Sequence, residues 1–289
     1  MASNAHHQVV ELFGVNTRAT ANWQSVVEKQ QCPYSGGRCF KIRKSDSGTS
    51  IGTCTVRTGS AGDPLLICPN RLLEGGHVFA DCLHLLTRHQ PGNELHVIPE
   101  VSVPGGSVDY FLVTAARGKP VDFVGIEFQT MDTTGTVWPA RQRFLQSVGV
   151  DAPIPESDAN KPYGVNWKMT AKTILMQLHH KVETFEALGR NFVLVVQTPF
   201  MEYMKGEFEF GHLTNPAVIS EPMHFHAYGA LESGAALTLQ LDARYSTNAP
   251  GIAKALNLGV AAVVDESRIL EAIASKMSPQ TRWAPVTVR

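Results

Sequence analysis

The sequence reads SVDYFLV at positions 107–113 and VGIEFQ at positions 124–129. Both stretches consist mainly of β-branched and aromatic residues, a composition typical of strands in a buried sheet. Each stretch also carries an acid, Asp109 in the first and Glu127 in the second, and Gln129 follows two residues later. A carboxylate in an apolar strand is costly to bury unless it is paired, hydrogen-bonded or bound to a metal. The two stretches therefore predict neighbouring strands that carry a polar site.

The seven residues 114–120 connect the two predicted strands, the second of which begins at Val121, and this length suits a hairpin loop. Side chains alternate along a strand, so Glu127 and Gln129 are expected on one face, and pairing of the strands would bring Asp109 to them. Carboxylates are ligands for Mg²⁺, and a bound cation lowers the pKa of water and stabilises charge at a phosphate. This arrangement predicts a divalent-metal site for phosphodiester hydrolysis. The alternative interpretation of the two acids is that they are solvent-facing strand residues.

The residue two positions after the second acid departs from the usual nuclease pattern D…(D/E)-x-K, because Gln129 replaces the lysine. A glutamine can orient a water by hydrogen bonds but carries no charge. Lys168 and Lys172 on a later predicted helix are candidates for the missing positive charge or for phosphate contacts. Glu100, on the preceding predicted strand, is a further candidate ligand or base.

A second motif lies in the loop-rich, basic segment 31–70, which has too few apolar residues to fold by hydrophobicity alone. This segment contains four of the five cysteines: Cys32, Cys39, Cys54 and Cys68. Pro- and Gly-rich turns near them let thiolates converge, and a tetrahedral metal would stabilise the segment. The alternative is a set of buried free thiols. The fifth, Cys82, is predicted to be a core residue of the following helix.

The composition is that of a folded protein, with 289 residues, 43% of them hydrophobic and 18% charged. No apolar run approaches the roughly 20 residues that span a bilayer, and the start lacks the basic-then-apolar pattern of a secretory signal. We therefore expect a cytoplasmic protein without a membrane partner. The net charge of −1 does not exclude nucleic acid as a partner, because positive charge can be concentrated locally.

Hydrophobic periodicity and turn residues predict alternating helices and strands. The predicted helices are 20–30, one from Gly76, 136–147, one from Trp167 to about Leu188 with Asn166 as the N-cap, and 266–276. Met169, Ile174, Leu178 and Val182 are predicted buried residues of the long helix. The predicted strands are 95–103, 108–114, 121–129, 191–197, 225–229 and 236–241. This order indicates an α/β fold with a mixed central sheet flanked by helices. We divide the chain into a helical and cysteine-rich region, 1–75, and a second domain, 76–289.

Several other side chains are candidates for DNA contacts, since arginine recognises guanine in the major groove. They are Arg38, Arg43, Arg57, Arg141, Gln142 and Arg143. The alternative for each is a phosphate contact or simple solvation. His224 and His226 would share a strand face and are predicted to be structural. His179 and His180 are adjacent on a helix, so we expect their rings to diverge.

Taken together, the basic cysteine-rich segment, the Pro-Glu-Val at 99–101 and the triplet Glu127-Phe-Gln129 resemble the NotI group of type II restriction endonucleases, which includes shorter EagI-like members. The resemblance extends from about Cys32 to the helix at 136–147. It implies a PD-(D/E)xK nuclease core, a homodimer on a two-fold symmetric GC-rich site, catalytic Mg²⁺ and a four-cysteine iron site. Thiolates also accept zinc, which remains the alternative metal.

The resemblance also implies roles for individual residues. Asp109 and Glu127 would bind Mg²⁺, and Gln129 would align the attacking water. The same four cysteines would form an N-terminal metal-binding insertion. The predicted function is thus site-specific, Mg²⁺-dependent cleavage of double-stranded DNA. Two alternatives remain: a related nuclease acting in repair, and a non-catalytic, metal-stabilised DNA-binding protein.

Overall fold

The computed structural model describes residues 7–58, 62–158, 161 and 163–258, together with the single positions 267, 271, 273 and 275. The strands in this part of the chain are β1 His7–Leu12, β2 Val15–Asn16, β3 Ile42–Arg43, β4 Asp46–Ser50, β5 Thr53–Thr58, β6 Pro64–Leu66, β7 Glu94–Val103, β8 Gly106–Ala116, β9 Lys119–Phe128, β10 Thr133–Gly135, β11 Tyr163–Val165, β12 Asn191–Gln197, β13 Met223–Ser233 and β14 Ala236–Thr247. The α-helices are α1 Trp23–Lys29, α2 His77–Ala80, α3 Trp138–Ser147, α4 Trp167–Ala187, α5 Thr198–Glu207 and α6 Ala249–Ala255. Most of the helix predicted at 266–276 lies outside the described residues.

The predicted mixed central sheet is confirmed. Its six strands lie in the order β14-β13-β12-β9-β8-β7. Strands β7, β8 and β9 form an antiparallel meander, whereas β12 is parallel to both β9 and β13. The chain leaves β9, forms α3 and α4, and returns as β12 beside β9, which is the helical crossover that a parallel pair requires.

Strand β12 lies at the centre of this sheet, as its continuous apolar sequence predicts, and all seven of its residues are buried. Phe192 and Leu194 pack on one face with residues of α4. Val193 and Val195 pack on the other face with side chains of the segment between β6 and β7. Because both faces are covered, the strand tolerates no alternation of polar and apolar residues.

The long helix α4 begins and ends close to its predicted limits. Ile174, Leu178 and Val182 are buried as predicted, but Met169 is 55% exposed and that prediction is wrong. Thr170 and Ala171 turn toward the core at this point instead. Asn166 occupies the N-cap position, although its side chain makes no capping hydrogen bond. None of the described helices has the length and apolar character needed to cross a membrane.

The helix predicted from Gly76 is only four residues long. Gly75 and Gly76 have positive φ angles of 58° and 67°, and they break the segment into a 3₁₀ turn, the short α2 and a second 3₁₀ turn. Cys82 is fully buried in the core against this segment, as predicted. Glycine favours such left-handed backbone positions, so the apolar spacing alone overestimated the helix.

The N-terminal region forms a four-stranded sheet with the order β2-β1-β5-β6. Val56, Leu65 and Leu66 on β5 and β6 are buried, so this segment contributes to the core by packing against the rest of the chain. Hydrogen bonds also join this small sheet to the central sheet. The buried Gln197 side chain accepts a hydrogen bond from Leu66 N (2.6 Å), and Met131 N donates to Leu66 O (2.9 Å).

Candidate active site

Asp109 and Glu127 lie side by side on β8 and β9. The antiparallel register pairs Tyr110 with Ile126, and the next step along it brings the two acids opposite one another. The Asp109 carboxylate reaches across the strands, and its Oδ2 accepts a hydrogen bond from Phe128 N at 2.8 Å. The structure therefore brings together the two acids that the strand pattern singled out.

A lysine that the sequence analysis missed completes this group. Lys181 of α4 donates from Nζ to Glu127 Oε1 at 2.7 Å, and the two side chains are only 5% and 10% exposed. The two lysines considered from the sequence do not take this position. Lys168 pairs with Glu207 at 2.6 Å, and Lys172 is exposed on the outer side of the helix.

A signal for Lys181 was present in the sequence. The buried face of α4 includes Ile174, Leu178, Val182 and Phe185, and Lys181 lies seven residues after the first of these. A lysine at core spacing in an amphipathic helix must find a buried partner, since lysine is almost never fully buried alone. The position of that partner, however, depends on how α4 crosses the sheet.

Burial sets the electrostatics of the two acids. The pKa of Glu127 is raised, first by burial and then by the negative charge of Asp109, while the hydrogen bond from Lys181 opposes the rise. The pKa of Asp109 is also raised by burial, and the Phe128 N–H and the charge of Lys181 oppose this. Glu127 Oε2 is buried without a hydrogen-bond partner. A buried carboxylate oxygen without a partner is a candidate for binding a cation.

Gln129 lies just beyond the end of β9 and is half-buried. Its main-chain N–H donates to Val195 O at 3.0 Å, which fixes the backbone beside β12. Its side-chain Nε2 donates to Thr130 O at 2.6 Å rather than to either carboxylate. One N–H of the amide is thus occupied, and the second N–H and the amide oxygen are the groups through which Gln129 can act on a water.

Glu100 lies on the edge strand β7, facing Asp109 between the pairs Pro99–Tyr110 and Val101–Val108. Its φ of 52° is in the left-handed region, which is unusual for a glutamate in a strand. The side chain is exposed, and its charge contributes to the raised pKa of Asp109. Glu100 is therefore near the two acids but at the solvent-facing edge of the sheet.

The four N-terminal cysteines are all buried free thiols: Cys32, Cys39, Cys54 and Cys68. The thiols of Cys54 and Cys68 are hydrogen-bonded to each other, which lowers the pKa of Cys68 and raises that of Cys54. Burial raises the pKa of Cys39, and Cys68 and Cys32 lie near enough to add to this. Turns position the sulfurs, with Cys32 N donating to Gly37 O at 2.7 Å.

These sulfurs do not form a closed metal site in the structure. Within the described residues, one group of three or more potential ligands has its atoms within 4.8 Å of one another, and it is His179, His180 and Glu183 on the surface of α4. Both histidine Nδ1 atoms lie 3.6–3.7 Å from Glu183 Oε2. The expectation that these two rings diverge was wrong, because both turn toward the acid one helical turn later.

Two of the candidate base-contacting residues are buried. Arg141 is 2% exposed, donates from Nε to Ile51 O at 2.7 Å and lies over the Trp138 ring. Burial lowers its pKa to about 10. Gln142 beside it is also buried. In this conformation neither side chain can reach a base edge, so the prediction for this pair is wrong.

The remaining arginines differ in their surroundings. Arg57 pairs with Glu232 at 2.6 Å, and Arg43 pairs with Asp158 at 3.5 Å. Arg38 is exposed and donates to Gly48 O. Arg143 lines a surface cavity together with Phe144 and residues of β1.

His224 and His226 share a strand face, as predicted, and both are fully buried. They lie on the face of the sheet opposite to the carboxylates, where Cys82 Sγ approaches His226 Nδ1 at 3.8 Å. Burial lowers the pKa of His224 to about 4. Their environment is that of neutral core residues.

Comparison with known proteins identifies the family. Residues 17–226, more than half of the chain, match the family described as restriction endonuclease NotI. This range contains Asp109, Glu127 and Lys181 as well as the four N-terminal cysteines. No curated protein matches the chain. The chain therefore belongs to the NotI restriction endonuclease family, and it is a type II, site-specific deoxyribonuclease.

Proposed function

We propose that this endonuclease has a PD-(D/E)xK core, that Asp109 and Glu127 form its active site, and that Mg²⁺ is the catalytic cation for DNA hydrolysis. The meander β7–β9, the helix α4 and the parallel strand β12 supply the framework for this core. The observation that carries the proposal is the state of the Glu127 carboxylate. Its Oε2 is buried, unpartnered and next to a second carboxylate.

The residues present fit a hydrated Mg²⁺ ion. This ion takes one or two protein carboxylates and completes its shell with water and phosphate oxygens. Asp109 and Glu127 provide two carboxylates on adjacent strands, and each already has one oxygen held by a protein hydrogen bond. When bound, the cation supplies an activated water and stabilises the charge that develops on the phosphate.

The protein side chains have separate tasks in this proposal. Asp109 and Glu127 would hold the cation, and Phe128 N fixes the orientation of Asp109. Gln129 would align the attacking water by hydrogen bonds from its amide group, of which one N–H is bound to Thr130 O. Glu100, exposed at the edge of the sheet, would be a further ligand of the cation or a base.

The four buried thiols support a second metal site with a structural role. Iron is the metal that the family resemblance favours, and zinc is the alternative. Cys54 and Cys68 interact with each other, and Cys32 and Cys68 lie near enough to Cys39 to affect its pKa, which supports one shared site. Such a site would stabilise a segment whose loops join β2, β5 and β6.

We also propose that the enzyme acts as a homodimer on a GC-rich palindrome. Two-fold symmetry would place one copy of the carboxylate site on each DNA strand. Sedimentation of the protein with and without a palindromic duplex tests this, and a monomer in both conditions would contradict it.

The test of function is digestion of a plasmid of known sequence with Mg²⁺. We expect a few discrete fragments with uniform ends, whereas a repair nuclease would give a smear and a DNA-binding protein would leave the plasmid intact. Omitting the divalent cation should stop cleavage. Undiminished cleavage in a chelator would contradict the assignment of the catalytic cation.

A further inference from the structure

Lys181 places a positive charge beside Glu127, where the sequence of β9 provides none. In the usual pattern, a lysine two residues after the second acid supplies this charge, and Gln129 stands in its place. Lys181 arrives from α4, 54 residues further along the chain, and its Nζ lies 2.7 Å from Glu127 Oε1. Its charge also acts on Asp109, the other acid of the site.

The stability of the fold does not explain why Lys181 and Glu127 form a buried ion pair. Apolar side chains of similar volume often replace a buried ion pair with no loss of stability, and the desolvation of both ions is costly. The neighbouring positions on this face of α4, Leu178, Val182 and Phe185, are apolar. A lysine in their midst, aimed at one of two adjacent acids, points to a role in the reaction.

The hydrogen bonds divide the carboxylate oxygens in a specific way. Phe128 N holds Asp109 Oδ2, and Lys181 holds Glu127 Oε1. Glu127 Oε2 is left buried and unpartnered. The lysine thereby fixes the rotation of the Glu127 carboxylate and leaves one defined oxygen for a cation.

We propose that Lys181 is the positioning residue that supplies, from α4, the positive charge that the Glu-x-Gln pattern lacks. This inference rests on the proposed function of Asp109 and Glu127. Lys181 anchors Glu127 through Oε1, directs Oε2 toward the divalent cation and offsets the negative charge of the two acids. Lys168 is paired with Glu207 and Lys172 is exposed, so neither provides this contact.

The test compares Lys181→Met with Lys181→Arg and with the control Lys254→Met at an exposed position of α6. We expect Lys181→Met to lower kcat by about 10²-fold with little change in KM for DNA, a loss like that of one preorganised charged donor. Lys181→Arg should recover most of kcat because it keeps the charge. The control should behave as the unmodified enzyme.

Metal binding gives a readout that does not depend on cleavage. The probe is Mn²⁺ alone, followed by the loss of its free-ion EPR signal in the absence of DNA. Lys181→Met should bind Mn²⁺ several-fold more tightly, because a cation that competes for Glu127 has been removed. A purely structural role predicts the opposite, namely weaker binding together with a less cooperative unfolding transition.

The inference is overturned if Lys181→Met retains kcat, or if it loses Mn²⁺ binding and folding together. If Lys181→Met does not fold, Lys181→Gln takes its place in both measurements. Absence of any DNA cleavage by the unmodified enzyme would instead contradict the proposed function. The Mn²⁺ comparison would still decide the role of Lys181 in that case, and unchanged affinity would exclude it.

Discussion

Two carboxylates and one ammonium group share a buried space between β8, β9 and α4. Burial raises the pKa of both acids, and the opposing contacts differ, with a main-chain N–H at Asp109 and the lysine at Glu127. Each acid therefore keeps one oxygen anchored while the other is available. In the proposed mechanism, one anchored oxygen on each acid would help to hold a divalent cation and its water in one geometry for an in-line attack.

We predict that Asp109→Asn and Glu127→Gln each reduce cleavage by about 10²–10³-fold or more, because each removes a proposed charged ligand of the catalytic cation. The measurement is single-turnover digestion with Mg²⁺, combined with DNA retention in Ca²⁺. DNA retention should persist in both variants. Glu94→Gln is the control, since Glu94 is an exposed acid on the neighbouring strand β7. Normal cleavage by either active-site variant would remove that residue from the site.

The position of α4 over the sheet decides which of its side chains reaches the acids. Gly125 on β9 is in contact with Phe185 of α4, and a Cβ at this glycine would lie 2.3 Å from Phe185 Cζ. The absence of a side chain at Gly125 therefore lets the helix approach β9 two residues away from Glu127. This close approach keeps Lys181 within reach of the acid.

We predict that Gly125→Ala destabilises the protein by about 1–3 kcal/mol, the usual range for overpacking a core. It should also reduce cleavage, since α4 must shift. Urea unfolding gives the first value and the plasmid digest the second. Gly206→Ala on α5, where a Cβ would meet no atom within 4 Å, is the control and should leave stability unchanged or slightly raised. Equal stability of the two variants would contradict this account of the contact.

Substitution of one cysteine tests the proposed metal site of the cysteine-bearing loops. Cys54→Ser should lose the proposed structural metal and lower the thermal stability of the protein, because three thiolates would not complete a tetrahedral site. Metal analysis of the purified variant by mass spectrometry is the measurement. Cys82→Ala is the matched control, since Cys82 is buried in the core away from these loops and should leave the metal content unchanged. Unchanged metal in Cys54→Ser would contradict the proposed site.

The two faces of the central sheet carry different ionisable side chains. One face carries the acids beneath α4, and the other carries the fully buried His224 and His226. Both ring nitrogens of His224 lack a hydrogen-bond partner. The folded state therefore disfavours protonation of these rings, and burial lowers the pKa of His224 to about 4 from 6.5.

This lowered pKa predicts acid sensitivity. Above pH 6.5 the ring is neutral in both states and has no effect on stability. Below pH 6.5 the unfolded chain binds a proton that the folded protein does not bind, so stability falls until about pH 4. Between pH 7.5 and pH 5 the loss from His224 is about 2 kcal/mol.

Urea unfolding at these two pH values measures the loss. The pKa of His226 is lowered in the same direction, so the double variant His224→Gln, His226→Gln should show a smaller pH difference. His180→Gln, at an exposed position, is the control and should behave as the unmodified protein. A pH difference that is unchanged in the double variant would place the acid sensitivity elsewhere.

Sequence reasoning was most successful where local pattern and burial agree. Strands β8, β9 and β12 and the helix α4 were predicted within a few residues, because runs of β-branched residues and helical spacing report directly on burial. It was wrong for the helix from Gly76, where two glycines in the left-handed region override the apolar spacing. It was also wrong for Arg141, whose burial depends on a contact with Ile51, 90 residues away in the chain.

The order of residues by itself determined the sheet strands, the two adjacent acids and the four-cysteine segment, because alternation along a strand and spacing along a helix are local properties. Only the tertiary structure decided that Lys181, and not Lys168 or Lys172, meets Glu127. The same is true of the burial of Arg141 and the convergence of His179 and His180 on Glu183. The physical reason is that a buried charge must find its partner across elements, and the crossing of α4 over β9 is set by the packing of the whole core.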